Sequence, residues 1–130
     1  VKALAIVLAG LLLVTPVSAQ ERYVRSFEDF GNGFIEKAGP ISTALGLDDW
    51  DTAAPLLEDL TIWIIESDPE PCYASLWGIA AAWSASSAQL ANVMSAGNAD
   101  PYAIAAVGDF QSRLNIIQQA AISDIDEVCA

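Results

Sequence analysis

From Pro71 to Ala99 the chain reads PCYASLWGIAAAWSASSAQLANVMSAGNA, without one charged side chain, inside a protein whose formal charge is −12. Leu76, Ala80, Trp83, Ser87, Leu90 and Met94 recur at steps of four and three, the spacing of one helical face. A second row, Trp77, Ala81, Ser84, Ala88, Ala91 and Ser95, is nearly all small and suits a closely packed neighbour. A helix uncharged on every side belongs in the interior, so the stretch is expected to be the central buried helix. Pro71 fits a first turn, and Gly97-Asn98 tolerates the left-handed backbone that ends a helix. The length would suffice to cross a bilayer, but the Ser, Asn and Gln content and the low Leu/Ile/Val density argue for a protein interior.

The other helices are read around this one. Lys2, the apolar run ALAIVLAGLLLV and the small-residue end TPVSA have the form of a cleavable signal peptide over 1–19, leaving 20–130 as a single domain. The expected location is secreted or periplasmic, with no stable membrane span after cleavage. Tyr23, Phe27, Phe30, Phe34 and Ala38 trace a first amphipathic helix. Gly31-Asn32-Gly33 is expected to kink it or admit a close neighbour, and Gly39-Pro40 to interrupt it.

A second helix is expected from about Thr52 to Ser67, capped by Asp51 or Thr52. Ala53, Leu56, Leu60 and Trp63 mark one face, Leu57, Ile64 and Ile65 widen it, and Ile62 lies on another side. So wide an apolar arc either meets two neighbours or leaves a patch for a partner. Ser67-Asp68-Pro69-Glu70-Pro71 cannot continue a helix. The last helix starts with Asp100 as cap and Pro101 in the first turn, and buries Ala103, Val107, Phe110, Leu114, Ile117, Ala121, Ile125 and Val128. The expected fold is all-α, a small up-down-up-down four-helix bundle.

Two cysteines in an exported chain are expected to pair. With the last two helices antiparallel about the turn at 98–100, Cys72 and Cys129 reach the same end of the hairpin, so one Cys72–Cys129 disulfide should close the bundle.

Function is constrained chiefly by exclusion. There is no histidine, which removes imidazole-based triads and metal or haem ligation by imidazole. No CxxC, CxxCH or phosphate-cradling glycine loop occurs, and no carboxylate pair is placed in a sheltered cleft; the chain is read as a non-enzyme. Residues 20–130 carry four basic against seventeen acidic side chains, which disfavours nucleic acid and anionic membranes as partners. The leading reading is a non-catalytic binding or structural module engaging a protein or a small apolar ligand, with Trp50, Ile62, Ile65 and Tyr102 as contact candidates. No cofactor is required. The alternative is an acidic bundle that binds Ca²⁺ through Asp68, Glu70, Asp124, Asp126 and Glu127, gathered beside the disulfide.

Overall fold

The computed structural model describes residues 21–97 and 100–129; the signal peptide expected over 1–19 lies outside them. Among the described residues four helices follow one another: α1 (Glu21–Gly46), α2 (Trp50–Glu66), α3 (Ala74–Ser95) and α4 (Pro101–Cys129), with a short 3₁₀ turn at Pro71–Tyr73 leading into α3. Side-chain contacts give the directions. Phe30 stacks on Trp63 across α1 and α2, Thr61 meets Ser84 and Glu58 meets Asn92 across α2 and α3, and Gln111 meets Ser87 across α3 and α4. Each pair of consecutive helices is therefore antiparallel, the up-down-up-down course expected. A Cys72–Cys129 disulfide joins the far ends of the α3–α4 hairpin, with Cα atoms 4.9 Å apart.

The core lies where α1, α2 and α3 meet. Phe34, Ile41, Leu57, Leu60, Ile64, Tyr73 and Trp83 are almost completely enclosed, and Trp77 is buried beside them. Phe30 ties the three helices together, with its ring centroid 5.7 Å from Phe34, 5.5 Å from Trp63 and 3.9 Å from Trp77. The wide apolar arc of α2 meets two neighbours and is still not fully covered. α2 packs against α1 on one side and α3 on the other, and Ile62 and Ile65 still face outward.

Helix α1 differs from expectation. It runs without a break through Gly31, Gly33, Gly39 and Pro40. At Gly33 the reason for glycine is space: a Cβ there would stand 2.6 Å from Cζ2 of Trp63. Pro40 removes one helical hydrogen bond on an exposed face, where water can satisfy the freed carbonyl, and burial of Ala38, Ile41, Ala44 and Leu45 on the inner face holds the helix together. The α2 cap also moves. Asp49, not Asp51 or Thr52, accepts a hydrogen bond from the Thr52 N–H at 3.2 Å, and the helix starts two residues earlier, at Trp50. Asp51 instead accepts from the Ser95 hydroxyl, pinning the start of α2 to the end of α3.

The ends of α3 and α4 follow the capping signals. Gly97 has φ +74°, the left-handed stop, and Asp100 accepts from the Tyr102 N–H at 2.9 Å. Of the row expected to be buried on α4, Leu114 and Ile125 are buried and Ala103, Val107 and Ala121 half-buried, but the helix is rotated from the expected face. Its inward row is Gln111, Leu114, Gln118, Ile125 and Cys129, while Phe110, Ile117 and Val128 are exposed. The rotation is set by polar contacts as well as by the disulfide: the Gln111 amide donates to Ser87 Oγ at 2.9 Å and Ser86 Oγ at 3.3 Å, and both serines bond the Trp83 carbonyl. A side chain that satisfies two buried hydroxyls is held inside as firmly as an apolar one.

Candidate functional site

Burial of α3 stops short of its full circumference. Leu76, Ala80, Trp83 and Ser87 are buried, as is the small row through Ser84, Ala88 and Ala91. A third stripe, Gly78, Ala85, Gln89, Asn92 and Ala96, faces outward, with Ala82 and Val93 half-buried beside it. The expectation of a helix interior on all sides is therefore corrected. α1 lies against α2 and the 3₁₀ turn, α4 covers one flank of α3, and nothing in the described chain covers the stripe itself.

The uncovered stripe forms a ridge between two shallow, open grooves. On the α2 side, a groove of about 720 Å³ is lined by Thr61, Ile62, Ala88, Asn92 and Ala96, with Glu58 at its edge. On the α4 side, a groove of about 520 Å³ is lined by Ala82, Leu90, Ala103, Ala106, Val107 and Phe110. Ala85, Gln89 and Val93 line both, so the grooves are two halves of one surface. Ile117 and Val128 continue the Phe110 edge along α4 at helical spacing and are 53% and 61% exposed.

The floor of this surface is uncharged because α3 has no ionisable group. Among the described residues the one charged side chain lining either groove is Glu58, whose Oε1 accepts from the Asn92 amide at 2.8 Å. Asp51 lies seven residues earlier on the same stripe of α2. The described basic side chains are engaged elsewhere. Lys37 stands 5.4 Å over the Trp63 ring at the α1–α2 seam, and Arg113 pairs with Asp109 at 3.1 Å on the outside of α4.

The contact candidates read from the sequence separate into three groups. Ile62 lines a groove and Ile65 stands exposed one turn further on. Trp50 is half-buried against the core and acts as a lid at the bundle end. Tyr102 is 86% exposed at the start of α4 and lines neither groove. Ala85, Gln89, Val93 and Phe110 are not among the contact candidates of the sequence, because a charge-free α3 points to a wholly interior helix and the spacing of Phe110 to the core. The amides of Gln89 and Asn92, falling on one stripe of an otherwise small-residue helix, were the available signal.

The carboxylates expected to hold Ca²⁺ do not assemble. The disulfide brings Asp68 and Glu70 to the same end as Asp124, Asp126 and Glu127, but among the described residues no three acidic groups converge closely enough to hold a metal ion. The end of α4 fans its carboxylates around the helix: Asp124 and Glu127 are exposed, while Asp126 is half-buried and acts on Tyr73. Burial, with the Asp126 charge adding to it, pushes the Tyr73 phenol up to about 12.

Compared with protein-family models, curated proteins and solved structures, the chain matches none of them.

Proposed function

We propose that the protein is a non-catalytic binding module that engages a protein partner through the α2–α3–α4 face. The observation that carries this reading is the uncovered, uncharged α3 ridge flanked by two adjoining apolar grooves. A contiguous apolar surface left open on a protein this acidic is a common mark of an interaction site. The grooves are shallow and share one wall, a shape that suits a broad surface contact better than enclosure of a small ligand. No helix among the described residues is long and apolar enough to cross a membrane. With the disulfide, this is compatible with work in an extracellular or periplasmic compartment.

The face is tested with the fluorescent apolar probe ANS and the Ala85→Glu variant. Ala85 is exposed and lines both grooves, so a carboxylate there occupies the surface without entering the core. The expected result is ANS binding by the native protein, strongly reduced in Ala85→Glu, with the melting temperature unchanged. Probe binding indifferent to the substitution would refute the assignment.

A further inference from the structure

We propose that the occupant of this face is a basic amphipathic helix, whose apolar stripe lies over the α3 ridge and whose Lys or Arg side chains meet the acidic edge formed by Glu58 and Asp51. The inference rests on the binding role assigned above and adds the chemistry of the partner.

Three observations lead to a helix with positive flanks. First, the walls are helices whose backbone groups are already paired, and the described residues contain no strand edge to which an extended peptide could add. A partner must therefore bring its own backbone hydrogen bonds, as a helix does. Second, the ridge shared by the two grooves, from Ala85 to Val93, extends about 12 Å, just over two helical turns, and is uncharged, so the apolar stripe of a helix can lie along it. Third, the charge is one-sided. Glu58 edges the α2 groove, Asp51 lies along the same stripe, and among the described residues no basic side chain lines either groove. A second copy of this chain would bring two surfaces of the same sign together at a formal charge of −12 each. A cationic helix meets the apolar floor and relieves the charge at its edge.

The experiment titrates the intact, disulfide-bonded protein with two synthetic helical peptides. They share one leucine stripe and carry either lysine or glutamate on the flanks. Binding is read by anisotropy of a labelled peptide and located by amide chemical shifts. The lysine peptide should bind at least tenfold tighter than the glutamate peptide and shift Ala85, Gln89 and Val93. Ala85→Arg should abolish binding. Glu58→Gln, which keeps an acceptor for Asn92, should weaken it about two- to fivefold, the scale of one edge ion pair. Glu36→Gln, the same charge change on the exposed side of α1, should leave it unaltered.

Equal affinity for the two peptides, or equal effects of Glu58→Gln and Glu36→Gln, would overturn the basic helix. If ANS still binds in an Ala85-dependent way, the binding face survives that failure. Sedimentation showing a dimer that Ala85→Arg dissociates would overturn the inference in favour of a second copy.

Discussion

Replacing Gly33 by alanine tests the seam between α1 and α2 at its tightest point. In an open helix interior, Gly to Ala is stabilising by about 1 kcal/mol because the unfolded chain loses freedom. At Gly33 the new methyl would lie 2.6 and 2.9 Å from Cζ2 and Cη2 of Trp63, so the indole has to move. That ring stacks on Phe30 at 5.5 Å with an interplanar angle of 15°, and Lys37 stands over it at 5.4 Å. Displacing it forfeits about 0.5–1.5 kcal/mol of aromatic pairing and about 0.5 kcal/mol of cation–π attraction, and adds overpacking strain of about 1 kcal/mol. The losses exceed the helical gain, and the net expectation is destabilisation by about 1 kcal/mol, a fall in melting temperature of roughly 3–5 °C for a domain of this size. Gly31→Ala, two residues away, meets nothing within 4 Å and should stabilise by up to about 1 kcal/mol. Urea unfolding of both variants, and of Gly33→Ala combined with Trp63→Leu, isolates the steric cost. In the Trp63→Leu background the alanine should become stabilising. Equal stabilisation by Gly31→Ala and Gly33→Ala in the native background would refute the close approach of the two helices.

Three further outcomes follow from the same packing. The folded protein holds the Tyr73 proton to about pH 12, while the unfolded chain releases it near 10. The folded state therefore binds the extra proton between those values, and stability should fall with rising pH across that window by on the order of 2–3 kcal/mol; a flat urea midpoint there would contradict the burial of Tyr73. Opening the Cys72–Cys129 link, which spans a sequence separation of 57, should cost about 4 kcal/mol on chain-entropy grounds. An unchanged melting temperature in the double serine variant would count against the staple. Asp49→Ala should cost about 1 kcal/mol through loss of the α2 cap, and Asp51→Ala less, because Asp51 meets only the Ser95 hydroxyl at the surface. The reverse order in thermal melts would restore Asp51 as the cap.

The helices, their order and the disulfide were legible in the chain because each rests on local chemistry or on helix length. Apolar spacing, Pro101 after Asp100 and Gly97 at a left-handed stop act within a few turns of sequence, and the Cys72–Cys129 pairing, though 57 residues apart, follows from the lengths of two helices joined by one short turn. Continuity of α1 was not legible. Gly33 and Pro40 weaken a helix locally, and only the Trp63 ring and the burial of Phe34, Ala38 and Ile41 reveal why the weakness is tolerated.

The candidate site was the least legible part. Ile62 and Ile65 were singled out correctly as surplus apolar surface on α2, but the ridge at Ala85, Gln89 and Val93 was hidden by composition. A charge-free helix reads the same whether three neighbours enclose it or two leave a stripe bare. The rotation of α4 decided the matter: Gln111 turned inward to Ser86 and Ser87, Phe110 turned outward, and the second groove opened beside it. Sequence alone determined which segments are helical and, through the two helix lengths either side of one turn, which two cysteines meet, since helix hydrogen bonding and capping are short-range. Tertiary structure decided which side of each helix is covered, because that depends on how residues far apart in the chain share a limited buried volume.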